Sequence, residues 1–499
     1  MSQIRSERSL LLSARASAFL LAALLVAPAA AARAEDSAEV ARIRSWLDGH
    51  VPELMREAAL PGFSIAIVRD GRTVYAEGFG ARDPKKNQPA TPDTLYGIGS
   101  VTKSFVAIAI LQLAEQGKLK LDDAVSRHVP FELGLPGKPI TIRHLLTHSP
   151  GFPNLGTSTI LISRGLGSDT GIPMSSAADF YRFVNGARDE IVFPPGEHFF
   201  YNNAAWRMLG HIVQEKSGLP FHRYIKEKLL APLGMTRSTL DTTALFEDAD
   251  HLVPHRRGKD GPEAAPFPYP NPENNLGFSF LAAAGGIASS VNEMTRYLTA
   301  QIEQGRHPNG RLASPEAFAQ MQTLQMETGE GYFGKTWYGY GLGVTPDFLG
   351  HKLVSHGGSI SVSTAHIAFI PDLKIGVVMM GNGPGLEYGT IAESVFALMM
   401  GRDPDEALPG NRIRKRMGRL VGSYAIYQGL ETLKVSKRGG LLYMGNEGPG
   451  TPLIPEDPSY ESLRFHTLRD GLKAPIEFRV REDGRLILLV ERYVYHKKD

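Results

Sequence analysis

The sequence predicts a mixed α/β fold of the α+β kind, followed by a small antiparallel β domain, and three observations carry that reading. Two strand-like runs, Phe63–Val68 and Thr73–Gly80, flank Arg69-Asp70-Gly71-Arg72, where Asp-Gly marks a tight hairpin. The segment Val101–Gln116 has helical spacing with apolar residues on almost every side, which predicts a buried helix closed at Gly117. After Leu408-Pro409-Gly410 the texture changes to short strands, Leu433–Val435, Leu441–Met444, Ile476–Val480 and Leu486–Val490, with Gly439-Gly440 and Asp483-Gly484 as turns.

The remaining elements follow in chain order. In a helix over about Val40–Glu57, Ile43, Leu47, Val51 and Leu54 share one face. The middle, roughly Thr141–Gln304, reads as helical segments and long loops. Within it Pro254–Asn275 is rich in Pro, charged and small residues and reads as an exposed loop, of the length that serves as a lid or as a plain surface insertion. His366–Ile370 and Ile375–Met379, joined by Pro371-Asp372-Leu373-Lys374, form a second hairpin. The expected organisation is therefore a leader over 1–34, a main domain over 35–408 and a β domain over 413–499.

Composition narrows the function classes. The chain has 499 residues, 42% of them hydrophobic and 21% charged, which suits a packed globular protein. Its formal net charge is only +2, with no long basic run, which argues against nucleic acid as a partner. There is no cysteine, so disulfides, thiolate metal sites and a cysteine nucleophile are excluded. Arg5, Arg8 and Arg15, the apolar run Ala16–Val26 and Ala32-Arg33-Ala34 make a secretory signal, too short and proline-broken to serve well as a membrane span. The expectation is a periplasmic or secreted protein without stable membrane insertion after cleavage, its mature chain beginning near Glu35.

Three short stretches carry chemistry. In Gly97-Ile98-Gly99-Ser100-Val101-Thr102-Lys103, the serine stands where a glycine-punctuated segment enters the apolar helix. Ser100 and Lys103 then share a helical face. A helix N-terminus favours developing negative charge, and partial burial makes a lysine a usable base. A serine N-cap beside a solvated lysine is the plainer account of Ser-x-x-Lys alone. Tyr201-Asn202-Asn203 precedes an apolar helix; Tyr201 can relay a proton and Asn203 can hold a lysine or an amide oxygen. For this stretch alone, a buried tyrosine with a capping asparagine is the favoured account. In His356-Gly357-Gly358-Ser359, entering a strand, the glycines permit close backbone approach, and an N–H there can complete an oxyanion hole; a glycine-rich turn with an incidental histidine is the alternative.

Together, in this order, these stretches resemble the serine β-lactamase and penicillin-binding protein superfamily, with Ser-x-x-Lys, Tyr-x-Asn and a Lys/His-x-Gly strand around one cleft. Pro61-Gly62-Phe63, Ile142-Arg143-His144-Leu145-Leu146-Thr147-His148, Ala284-Gly285-Gly286-Ile287 and Tyr340-Gly341-Leu342-Gly343 extend the likeness over about Val40–Gly401. The resemblance is closest to class C β-lactamases, D-alanyl-D-alanine carboxypeptidases, D-aminopeptidases and related esterases. It implies a β-lactamase/transpeptidase-like antiparallel sheet flanked by helices, with a helical region inserted, and likens the tail to a lipocalin-like β-barrel.

By the same resemblance Ser100 is the nucleophile, Lys103 and Tyr201 share base and acid work, and Asn203 positions the substrate amide. The backbone N–H groups of Ser100 and Ser359 form the oxyanion hole, and His356, Gly357 and Gly358 line the cleft. Class C β-lactamases carry lysine where His356 stands, while peptidase-like relatives often carry histidine, which favours a peptidase-like role. The expected function is an exported serine hydrolase acting through a Ser100 acyl-enzyme on a D-amino-acid peptide, a β-lactam or an ester. The partner is thus a small-molecule or peptide substrate. No cofactor or metal is implied, and oligomeric state stays open.

Three rivals were weighed. An α/β-hydrolase needs Gly-x-Ser-x-Gly, which Gly357-Gly358-Ser359-Ile360-Ser361 fails at its last position. A metal hydrolase needs more than His144 and His148, since no His-Glu-x-x-His is present; in the stretch that carries the resemblance the two histidines read as structural. A penicillin-binding or sensor protein that acylates without useful turnover uses the same residues.

Overall fold

The computed structural model describes residues 38–269, 276–446 and 448–498, so the signal-like leader lies outside the described residues. The chain divides into two compact units between Ala392 and Glu393.

The first unit is built on a nine-stranded antiparallel sheet. Its strands are β1 (Gly62–Arg69), β2 (Arg72–Asp83), β3 (Gln88–Pro89), β4 (Met326–Gly331), β5 (Gly334–Tyr338), β6 (Gly343–Phe348), β7 (His351–Ser359), β8 (Thr364–Ile370) and β9 (Ile375–Gly381), in the order β4-β5-β6-β7-β8-β9-β1-β2-β3. The β1–β2 hairpin closes as its sequence requires: Asp70 and Gly71 have φ of 48° and 73°, the left-handed pair of a type I′ turn. β1 is buried along almost its whole length, without the polar–apolar alternation of a half-exposed strand. Ala66 and Val68 face the core shared with the buried helices, while the intervening Ile65 and Ile67 are equally inaccessible. Both faces are therefore covered, and each fully buried side chain of Ile or Val size contributes about 1.5–3 kcal/mol.

Between β3 and β4 runs the helical region. Helix α1 (residues 38–58) precedes β1 and buries Ile43, Leu47 and Val51. Helix α2 (Thr102–Glu115) is buried at eleven positions and ends where Gly117 takes φ 70°. Helices α3 (Thr157–Gly165), α4 (Asn203–Ser217) and α5 (Val291–Ile302) follow. Helix α5 packs on β1 and β9, with Leu298 against Gly376. The segment expected to be an exposed loop, Pro254–Asn275, is exposed over most of residues 256–266 but carries strand pairing that the sequence did not announce. It opens with a small hairpin, His255–Arg257 paired with Pro262–Ala264, and returns inward, burying Pro268 and half-burying Phe267 and Tyr269. Its residues 270–275 lie outside the described residues.

The second unit contains a closed eight-stranded barrel, whose first strand, Gly422–Ala425, pairs with its last, Tyr493–Lys497. Its core includes Tyr424, Val435, Leu442, Leu453, Phe465, Phe478 and Leu488. Helix α6 (Tyr388–Met399) spans the division between the units, and helix α7 (Pro409–Leu420) sends Met417 and Leu420 into the barrel core. The division thus falls upstream of residue 408. The change of texture there marks where strands begin, whereas α7 already packs with the barrel.

Candidate active site

The site is assembled where α2 begins. Gly99 adopts φ 52°, and a side chain there would run into the Ser359 backbone, so the tight approach requires glycine. Ser100 follows in a short 3₁₀ turn, Gly99–Val101, leading into α2. One turn on, the Lys103 side chain is completely buried.

Lys103 Nζ lies 2.9 Å from Ser100 Oγ, 2.9 Å from Asn203 Oδ1 and 2.7 Å from the Ala284 carbonyl oxygen. Asn203 Oδ1 and Ala284 O can only accept, so two N–H bonds point to them, and a neutral amine is left with one lone pair for the Ser100 hydroxyl proton. Burial holds the Lys103 ammonium well below the usual lysine range, and the positive charge of Arg207 adds to the shift. The contacts suit an unprotonated lysine, and burial favours that form.

The Tyr201-Asn202-Asn203 stretch divides its labour. Asn202, not Asn203, caps α4: its Oδ1 accepts the Ala205 N–H at 3.1 Å, and its Nδ2 donates to the Phe152 and Pro153 carbonyls. Asn203 is the first helical residue and is left free to face Lys103. The Tyr201 ring lies 5.0 Å from Lys103 Nζ, and Ser100 opposes part of the effect of burial on its hydroxyl. Burial pushes the Tyr201 phenol up, so it stays protonated.

The His356 motif closes the site from β7, but at the end of the strand rather than its entry, because pairing with β6 starts at His351. His356 Nε2 lies 2.9 Å from the Tyr338 hydroxyl and Nδ1 lies 2.6 Å from the Gly357 carbonyl. The carbonyl can only accept, so Nδ1 carries the proton and Tyr338 donates to Nε2. Burial pushes the imidazole down to about 3. Of the two glycines, Gly358 is demanded: a Cβ would collide with the Ile98 carbonyl and stand 2.9 Å from the Ser100 nitrogen. At Gly357 a Cβ would meet only His366 Nδ1, at an ordinary 3.6 Å. Ser359 Oγ accepts the Ser361 N–H at 3.1 Å.

Sequence reasoning missed two side chains here. His148, read above as structural, is completely buried with φ 56°. It accepts the Asn202 backbone N–H on Nδ1 at 2.7 Å, and its ring stacks on Tyr201 at 4.2 Å. It therefore braces the Tyr201–Asn203 segment from behind. His144 instead caps its own short helix, its Nδ1 accepting the Thr141 N–H at 3.1 Å. Among the described residues no cluster of three or more His, Asp or Glu side chains is placed to hold a metal ion. Tyr338 is the second; nothing but its position before Tyr340-Gly341 marks it in the sequence.

A family model described as Beta-lactamase matches residues 47–395. The chain belongs to the beta-lactamase family. A second model, described as the Pab87 octamerisation domain, matches residues 404–496. The octameric penicillin-binding protein homologue from Pyrococcus abyssi is 36% identical, with a TM-score of 0.82 over 92% of this chain and 100% of that one. Protein flp of Staphylococcus aureus strain N315 is 34% identical over 67% of this chain and 62% of its own length. The chain thus spans about 62% of the length of those curated relatives. A beta-lactamase of Pseudomonas fluorescens is 24% identical over 72% of this chain and 99% of its own. The beta-lactamase/D-alanine carboxypeptidase of Yersinia pestis, at 19% identity and a TM-score of 0.55 over 71% of this chain and 97% of that one, shares the fold. Within this family the chain joins the beta-lactamase-like sheet to a closed C-terminal barrel. Among the described residues no helix is long and apolar enough to cross a membrane.

Proposed function

We propose that this beta-lactamase family member is a serine hydrolase that works through an acyl-enzyme on Ser100. The observation that carries the reading is the set of three contacts at Lys103 Nζ, which suits a neutral amine accepting the Ser100 proton. In the acylation step Ser100 Oγ attacks the substrate carbonyl carbon while its proton passes to Lys103 Nζ. The carbonyl oxygen takes the negative charge beside the Ser100 and Ser359 backbone N–H groups, which the Gly99 and Gly358 approach supports as an oxyanion hole. Collapse of the tetrahedral intermediate breaks the bond to the leaving group, and the still-protonated Tyr201 delivers a proton to it. Lys103, now protonated, returns Tyr201 to its phenol form. Water then hydrolyses the ester by the reverse sequence. Lys103 is thus the base and Tyr201 the acid, consistent with the opposite directions in which burial moves them.

The substrate class is an amide or ester carbonyl of a D-amino-acid peptide, a β-lactam or a simple ester. His356, kept neutral and with both ring nitrogens engaged by Tyr338 and the Gly357 carbonyl, presents a neutral wall rather than a fixed positive charge, which favours peptides and esters over efficient β-lactam turnover. The Pyrococcus abyssi homologue is octameric, and the match of residues 404–496 to the octamerisation domain supports self-association of this chain through its barrel. The signal-like N-terminus supports an envelope or external location.

The test is mass spectrometry of the protein and its Ser100→Ala variant after incubation with a penicillin, an activated ester and a D-alanyl peptide. A Ser100-dependent adduct or Ser100-dependent product with any of them is expected. A persistent penicillin adduct without product from any substrate would favour a binding or sensor role. Wild-type turnover by Ser100→Ala would overturn the assignment.

A further inference from the structure

The two ends of the barrel differ in character. Its eight strands run up and down, each paired with its neighbours in the chain, so successive connections alternate between the ends. Helix α7 enters at one end, which also receives the connections at residues 439–440, 456–463 and 481–485, mainly glycine, charged and small polar residues. Among the described residues Val480 is the one large apolar side chain exposed there, and a single such residue is ordinary. The other end is apolar. Of its connections, residues 426–431 carry Tyr427 and Leu430, 78% and 82% exposed. The Asp470-Gly471 turn is flanked by Leu468 and Leu472, the latter 75% exposed, and the Glu491-Arg492 turn leads into the exposed Tyr493 and Val494. Two ties join these tips into one surface: Arg469 forms an ion pair with Glu491, and the Tyr495 hydroxyl donates to Glu431 at 2.6 Å. The turns are tight and fixed, with φ of 58° and 71° at Gln428 and Gly429 and of 49° and 81° at Asp470 and Gly471.

Hairpin tips need only turn-forming polar residues, whereas an exposed apolar patch inside a charged rim marks an interaction site. We infer that this end of the barrel is the face through which one copy of the chain binds another. The inference rests on the self-association proposed above and adds the surface to it. Charge selects the second copy as the occupant. The rim sets Arg469, Lys473 and Arg492 beside Glu431, Asp470 and Glu491, three of each sign. Two identical rims related by a two-fold axis can therefore place cation against carboxylate while the apolar tips meet at the centre. A strongly charged partner of either sign meets repulsion from half of this rim, and an anionic lipid surface calls for a basic rim instead. Because the turns are already fixed, little chain freedom is lost on contact.

The test is sedimentation velocity of the full-length protein, a Leu430→Ser, Leu472→Ser double variant and, at the opposite end, Val480→Ser. Wild type and Val480→Ser are expected to sediment as the same oligomer. The double variant should fall to smaller species, its association weakened by about a hundredfold, with unchanged circular dichroism and cooperative melting. Because the chain has no cysteine, single cysteines give a second reading. Leu430→Cys should lose its reactivity toward a maleimide in the assembled protein, while Val480→Cys keeps its own. A wild-type oligomer that the double variant leaves intact, or that Val480→Ser breaks instead, overturns the inference alone, as does equal labelling of the two cysteines. A wild type that is monomeric at every concentration overturns the self-association reading, and the inference with it. Flotation of such a monomer with phosphatidylglycerol vesicles, lost in the double variant, would assign this end to a lipid surface.

Discussion

Replacing Asn203 by aspartate changes the group facing Lys103 by one atom and adds a charge at a known place. The present oxygen lies 2.9 Å from Nζ. Opposite unit charges at that separation attract by about 6 kcal/mol at an effective dielectric near 20. Desolvating the new carboxylate takes back several kcal/mol. A net gain of about 2–3 kcal/mol for the ammonium form raises the Lys103 pKa by about two pH units. The sign follows from the mechanism: protonated Lys103 has no lone pair, so activity falls as pH drops through its pKa, and a raised pKa moves that fall to higher pH. Second-order acylation rates with an activated ester, measured across pH 5–10, should show the acid limb displaced upward by about two units. Rates on the displaced limb should be up to about a hundredfold lower and recover toward alkaline pH. A loss of equal size at every pH would refute the reasoning and assign Asn203 to substrate positioning alone.

Two further expectations test other parts of the site. His356, held down to about 3 by burial, should remain neutral across the working range, so its ring resonances in ¹³C-histidine protein should not titrate between pH 5 and 9; a midpoint in that window would restore it as a cationic anchor. Gly358→Ala places a methyl group 2.9 Å from the Ser100 nitrogen, so acylation should slow by about a hundredfold or more in a protein that still melts cooperatively; near-normal acylation would exclude the oxyanion geometry argued from the Gly99–Gly358 approach.

Much of the fold was legible because local chemistry and tertiary demand coincide. Asp70-Gly71 encodes its own left-handed turn, and the apolar girdle of α2 announces a helix with no exposed face. The barrel was legible as short strands, yet its closure was not, because the pairing of Gly422–Ala425 with Tyr493–Lys497 joins positions that share no local signal. The outer strands β4 and β5, with exposed glycines and charges at Met326–Gly331 and Gly334–Tyr338, lack the alternation that marks a half-buried strand. At the site, the three motifs stood out because each combines a reactive side chain with a helix start or a glycine pair. Asn202 and Asn203 look alike in sequence, and only the helix register decides which one caps and which one faces the lysine. The burial of Arg207 and the bracing contacts of His148 were invisible for a different reason. A polar residue on a helix or in a turn reads as solvated until the packing that buries it is known.

The contacts at Lys103 also bear on the order of events during folding. Its partners Asn203 and Ala284 lie 100 and 181 residues further along the chain, and closures of that length come late, after local helices and hairpins have formed. Before they close, Lys103 is hydrated and carries its ordinary charge, and Ser100 is an ordinary serine. On the proposed acyl-enzyme reading, acylating power arrives only with these long-range contacts. An incompletely folded chain is chemically silent, and reactivity toward an acylating probe becomes a readout of completed folding.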